Sequence, residues 1–307
     1  MTLASTGAGT TGAADQALAS GTVALTGKVY QTASASVAPV PVNFGTVHVG
    51  DTVAALALTI GNTASGALTD VLQGGFGTVS GPFTGTGTLG AGVAAGATST
   101  AIKIGLNTSG AGVFSGSAGL ALTSHDGDLA DIGVAAGPVS LGATVNNYAV
   151  SGFGRSGGAG SFSGLGNSYT LDFGTVAIGT SLMDTLFAAN FASGPADLLA
   201  GTFSSGGGGF GLSGFSSFSG LVAGAQNGGL TVTFNAGTAG TFKEVVDLIG
   251  TGSNDSGYSG RVADTLLTIE GTVAGSGTPV PEPGTLALLG SGLAAMLSLR
   301  RRKLRVA

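Results

Sequence analysis

Sixty of the 307 residues are glycine, and that density removes most of the fold classes open to a chain of this length. Glycine costs a helix about 1 kcal/mol at each interior position. Helical bundles and coiled coils, which need Leu, Ala, Glu and Lys at sustained spacing, are therefore excluded. A collagen helix is excluded as well, because the glycines keep no three-residue period. Only 8% of residues are charged while 43% are hydrophobic, which is the reverse of the composition that keeps a chain unfolded. A glycine-rich all-β protein remains, with Ser, Thr and Asn supplying its solubility.

The chain repeats itself. Phe44-Gly45-Thr46-Val47-His48-Val49-Gly50 returns as Phe173-Gly174-Thr175-Val176-Ala177-Ile178-Gly179. Asn62 returns as Asn190, Asp70-Val71-Leu72 as Asp197-Leu198-Leu199, Ala111-Gly112-Val113-Phe114 as Ala239-Gly240-Thr241-Phe242, and Thr144-Val145 as Thr272-Val273. Landmarks that keep one order and a nearly constant offset mark two homologous domains. Within each, apolar residues alternate with a period of two, as in half-buried antiparallel strands. Ala54, Leu56, Leu58 and Ile60 form one such row; so do Ile102, Ile104 and Leu106; Leu230, Val232 and Phe234; Val245 and Ile249; and Leu267 and Ile269. Turn formers such as Gly61-Asn62, Asp126-Gly127 and Asn227-Gly228 separate the rows. The pattern predicts tandem immunoglobulin-like β-sandwiches with Gly-rich loops. Repeat 1 is expected over residues 39–149 and repeat 2 over 169–275, joined by a Gly/Ser-rich linker at 150–168.

Residues 1–38 read as the end of a partial preceding repeat, because Thr22-Val23-Ala24-Leu25-Thr26-Gly27-Lys28-Val29 resembles the closing strand Leu266–Val273. No basic n-region or apolar h-region is visible in Met1–Ser20. The expectation is either a true start upstream or an amino-terminal strand that pairs elsewhere.

Charge is concentrated at the carboxyl end. Arg300, Arg301, Arg302, Lys303 and Arg305 are half of the ten basic residues, leaving five against fifteen acidic residues in the body. Such a body will not bind nucleic acid by neutralising phosphates. Ahead of the basic cluster stand Val280-Pro281-Glu282-Pro283-Gly284 and an apolar run from Thr285 to Leu299 that includes Leu286, Leu288, Leu289, Leu293 and Met296. Pro283 fits the first turn of a helix. At about 1.5 Å per residue that helix spans ~22 Å, a short membrane crossing completed by snorkelling arginines on the cytoplasmic side.

This order of motif, apolar helix and arginine-rich end resembles the PEP-CTERM sorting signal of Gram-negative bacteria. The resemblance implies transient residence in the inner membrane, recognition by an exosortase with cleavage near Pro281-Glu282-Pro283, and a mature form at the cell surface or outside the cell. Proteins sorted this way accompany exopolysaccharide and biofilm production. The Phe-Gly-Thr-Val opening with Asn62 or Asn190 downstream is similar to choice-of-anchor D domains, which resemble Hydin-type immunoglobulin-like modules. That likeness implies a spacer or binding scaffold and brings no catalytic residues.

Candidate chemistry is sparse. No cysteine is present, so neither disulfides nor thiolate sites arise. His48 has Ala177 as its counterpart and reads as surface or edge-strand filler. Asp126, Asp128 and Asp131 offer the hard oxygen ligands of a weak calcium site, against the plainer reading of a solvated turn. Gly85-Thr86-Gly87-Thr88-Leu89-Gly90 spells a dinucleotide fingerprint with no helix to follow it. Hydrolysis by paired carboxylates would draw on residues such as Asp126, Asp128 and Glu244. Phe210, Phe215 and Phe218, near the flexible-looking Gly206–Gly209, suggest a weak polysaccharide-binding surface. The reading that results is a cofactor-free, non-enzymatic, exported surface or matrix protein.

Overall fold

The computed structural model describes residues 16–275 and, ahead of them, 2–3, 6–7, 12 and 14. The described residues are all-β, and the chain divides into two compact units, Met1–Asn146 and Asn147–Ala307. The apolar run Thr285–Leu299, expected as a short helix, lies outside the described residues; among those, no helix is long and apolar enough to cross a membrane.

Each unit is a two-sheet sandwich. In the first, one sheet runs from Ala35–Ala38 through the broken strand Leu56–Ala57 and Thr59–Asn62, then Thr98–Ser99 with Lys103–Leu106, to Phe83–Thr86. The other is built on the 14-residue strand Gly112–His125. Its first half pairs with Val139–Asn146; its second half pairs with Val71–Val79 on one side and Ile132–Val134 on the other. Val139–Asn146 in turn pairs in parallel with Val42–His48. The alternation read from the sequence places Leu58, Ile60, Ile102 and Ile104 between the sheets, each fully buried, opposite Leu72, Ala118 and Leu141. Burial of each large side chain contributes about 2 kcal/mol.

The second unit follows the same plan. Ser151–Gly158, Ser181–Asn190, Gln226–Asn235 and Phe210–Ser213 make one sheet. The other is built on Gly240–Ser253, flanked by Thr265–Ala274 and Leu198–Ser205, with Ser168–Ala177 again entering in parallel. Leu230, Val232, Phe234, Leu267 and Ile269 are fully buried. Val245 and Ile249, read as a row of their own, do share a face, but it is the outer one; Val246 and Leu248 point inward at 0% exposure.

Two repeated sequence landmarks acquire a physical cause. Asn62 is 1% exposed and Asn190 0%. The Asn62 amide donates to the carbonyls of Asp70 and Val93, both at 3.0 Å, and its Oδ1 accepts the N–H of Ser34 and Ala64. Asn190 donates to Asp197 and Leu221 and accepts from Val150 and Ala192. One side chain thus bonds four backbone groups from separate segments, which is why the residue returns in both repeats. In the Phe-Gly-Thr-Val motif the glycine N–H is taken by the side chain two residues earlier. Asn43 accepts from Gly45 at 2.8 Å and Asp172 from Gly174 at 2.7 Å. Both contacts sit where the parallel ladder shifts register.

Two boundary expectations are corrected. Residues 150–168 are no linker: Ser151–Gly158 and Ser161–Leu165 are strands of the second unit, and Phe153 is 1% exposed in its core. The Gly/Ser composition hid this because a single apolar residue carries the inward face. Nor does the first unit begin at residue 39, since Ala35–Ala38 pairs with Thr59–Asn62 and Gln31 bridges Thr69. The closing strand expected over Thr22–Val29 does not form. Gly21–Thr22 pairs with Thr2–Leu3, residues 23–29 are not in a strand, and Leu25 and Val29 are exposed.

Candidate functional site

The three aspartates weighed as a calcium site do not converge. Asp126 Oδ1 accepts the backbone N–H of Asp128 (2.6 Å) and Leu129 (2.9 Å), closing its own turn. Asp128 accepts from the Tyr30 hydroxyl at 2.5 Å and from Lys28 at 3.2 Å. The Tyr30 hydrogen bond, then the Lys28 ammonium, hold its carboxyl below the ordinary value of 3.8. Asp131 lies 2.7 Å from His125 Nδ1. Each carboxylate serves a different local contact, and the described residues contain no group of three metal-ligating side chains. His48 is also corrected: it is 5% exposed, its Nδ1 is 3.7 Å from Asp51 Oδ2, and its backbone N–H donates to that same oxygen. At Gly85–Gly90 the chain leaves the strand Phe83–Thr86 without forming a helix.

Asp184 and Glu244 are among the buried ionisable groups of the second unit. Asp184, at 0% exposure, accepts from Arg155 Nε to both oxygens (3.1 and 3.0 Å) and from Gly160 N–H (3.0 Å). Arg155 also donates to the Gly158 carbonyl at 2.6 Å, so the pair locks the turn after Ser151–Gly158. Glu244 is 4% exposed, and its Oε2 has no hydrogen-bond partner. The glycine run lies over it: a Cβ at Gly208 would fall 2.6 Å from that of Glu244 and collide with the Lys243 carbonyl oxygen. Gly208 therefore lets the chain lie close against the strand at residues 243–244, a role that composition alone reads as flexibility.

Asp247 is on the outer face of the same strand. Burial first, then the Asp264 carboxylate, raise its pKa above 3.8, with Arg261 opposing. An acid raised in the folded state adds stability below its unfolded value and loses it as pH rises through the folded value. Asp247→Asn is therefore expected to raise the melting temperature at neutral pH by about 1–2 °C and to leave it unchanged well below pH 3.8, as calorimetry would read.

The three phenylalanines do not form one surface. Phe210 stacks on Phe173 and meets Phe234 at a tilt, and Phe218 packs against Phe203. Phe215, like both of them, is partly buried against the core of the second unit. It meets Phe203 edge-on at 5.3 Å and, with Leu212 and Val246, forms the floor of a cleft of about 330 Å³ rimmed by Ser205 and Ser216.

Residues 279–303 match the PEP-CTERM protein-sorting motif. No curated protein matches the chain. Among solved structures, a Porphyromonas gingivalis W83 protein of unknown function is 10% identical at a TM-score of 0.26, covering 78% of this chain and 99% of that one. Mouse protocadherin-24 EC1-3 is 14% identical at a TM-score of 0.35 (89% and 78%), and the D00-D0 domain of Intimin 12% at 0.26 (76% and 98%). At these TM-scores the likenesses carry no further argument. What stands is an all-β body that ends in a PEP-CTERM protein-sorting motif, the substrate signal of an exosortase and the mark of an exported protein.

Proposed function

We propose that this chain is a non-enzymatic structural protein of the cell surface or extracellular matrix, processed by exosortase and associated with exopolysaccharide in a biofilm. The sorting motif at 279–303 carries the reading. On this account Val280–Gly284 is the recognition and cleavage element, Thr285–Leu299 the transient membrane helix, and Arg300–Arg305 the cytoplasmic tail. The two sandwiches act as spacers of choice-of-anchor D type, supported by the shared Phe-Gly-Thr-Val opening and the Asn62 and Asn190 networks. Against hydrolysis, Asp126 and Asp128 are each engaged in a local contact of their own.

Substituting Glu282→Ala in the native host is expected to shift the protein from the extracellular and surface fractions to the inner membrane, read by immunoblot of fractionated cells. Release equal to that of the unsubstituted protein would contradict exosortase recognition through this motif.

A further inference from the structure

Three segments meet at the end of the second unit from which the chain leaves toward the sorting motif. Ala177 lies beside Ala274 in the parallel ladder, Gly240 pairs with Val273, and Gly275 lies against Ala239. The Gly179 N–H donates to the Ala236 carbonyl and the Ala236 N–H to that of Thr180, both at 2.8 Å. Each segment belongs to a run without a charged residue, 173–183, 231–242 and 271–281. Going inward along this sheet, the first charged residues are Asp172, Glu270 and Lys243, which form one row across three strands. That row is four residues from Ala274, about 13 Å of strand. The opposite end of the unit, by contrast, carries Asp255, Arg261 and Asp264.

The first unit builds the same loop with charge in it. Val47-His48-Val49-Gly50-Asp51 corresponds to Val176-Ala177-Ile178-Gly179-Thr180. The backbone bonds match: Gly50 donates to Thr108 as Gly179 does to Ala236, and Asp51 to His48 as Thr180 does to Ala177. The loop therefore accommodates a histidine and an aspartate, the aspartate side chain 40% exposed. In the second unit, where the chain goes on to the apolar run, both are replaced by uncharged residues. Val49 is half-buried, whereas its counterpart Ile178 is 47% exposed.

Thr285 opens the apolar run ten residues beyond Gly275, so this end is held within ~36 Å of that run however the intervening chain is arranged. Tethering makes contact with the bilayer intramolecular, and a weak contact is then well populated. Anionic lipids repel a body with five basic and fifteen acidic residues. Screening at physiological salt has a length of about 8 Å, however, shorter than the ~13 Å depth of the uncharged end. We infer that this end of the second unit, formed by residues 177–181 and 235–240 with Ile178 at the interface, rests on the lipid headgroups while the chain is anchored. The inference rests on the reading of Thr285–Leu299 as a membrane helix and adds the surface by which the body meets the bilayer.

Because the chain has no cysteine, a single fluorophore can be placed at this end by Thr238→Cys or at the opposite end by Ser259→Cys. The full chain is reconstituted with vesicles of phosphatidylethanolamine and phosphatidylglycerol that carry a headgroup quencher, and flotation separates the bound protein. Quenching is expected at residue 238 and not at 259. Thr180→Asp, which introduces the residue of the first unit, is expected to lower the population in contact about fivefold at an unchanged melting temperature. Ile178→Asp, which also removes the apolar group, is expected to lower it further. In protein that floats, quenching no stronger at 238 than at 259, or unchanged in both variants, would overturn the contact and leave the anchor standing. Protein that does not float would overturn the anchor and this inference with it. Exosortase cleavage lost in Thr180→Asp at unchanged quenching would assign the end to the enzyme and remove it from the lipid.

Discussion

Replacing Asn190 by alanine is expected to destabilise the second unit by about 3 kcal/mol, because two buried and two partly buried hydrogen bonds are lost at once and a void replaces the amide. The same loss is expected for Asn62→Ala in the first unit, where the network is the same. Asn190→Asp separates hydrogen bonding from packing. It keeps the volume but turns a donor toward the carbonyls of Asp197 and Leu221 into an acceptor. Hydrogen exchange reads both variants against an internal reference. Amides of Gln226–Asn235 should lose protection while those of Lys103–Leu106 keep it. Asn190→Asp at full stability would mean that shape, not bonding, explains the repeated asparagine.

The second large effect is expected at Arg155. Asp184 is fully buried, and without the guanidinium only the Gly160 N–H would still face its carboxylate. Breaking a buried pair from one side costs about 3–5 kcal/mol. Arg155 is itself partly exposed, which places Arg155→Leu near ~3 kcal/mol, the lower end of that range. Adding Asp184→Asn should restore more than half of the loss in chemical denaturation, since the cost is that of a stranded charge. A double variant no more stable than Arg155→Leu alone would show instead that the arginine stem, packed along the strand, is what the unit needs.

Both predictions rest on residues that the sequence marks unequally. Asn62 and Asn190 stand out as repeat landmarks, but their function is invisible until the carbonyls of residues 70, 93, 197 and 221 are brought around them. Arg155 and Asp184 carry no signal at all, because the arginine falls in a stretch whose glycines and serines read as a linker. Alternation was legible where side chains were large, as at Leu230, Val232 and Phe234. It misled at Val245 and Ile249, where β-branched residues face outward on a strand whose inner row sets Glu244 between Phe242 and Val246. The cleft was half legible. Phe210, Phe215 and Phe218 look alike in a string of residues. The structure packs all three, partly buried, against the core of the second unit, and of them Phe215 lines the cleft. Gly206–Gly209 reads as slack, yet at Gly208 the strand backbone at residues 243–244, far away in sequence, leaves no room for a side chain.

The carboxyl end was the reverse case, fully legible because its information is linear. Val280–Gly284, the apolar run and the arginines are recognised as an ordered string, and the match over residues 279–303 needs no tertiary context. Export by such a signal also suits a body without cysteine and with few charges, whose stability comes from two apolar sandwich cores.

Intact-mass spectrometry of the protein, expressed behind a working export signal in a strain with exosortase and in one without, tests the central claim most directly. The account predicts a mature form ending near Pro281–Pro283 in the first strain and the full-length, membrane-bound chain in the second. Full-length protein in both strains would make the tail a plain anchor and contradict it.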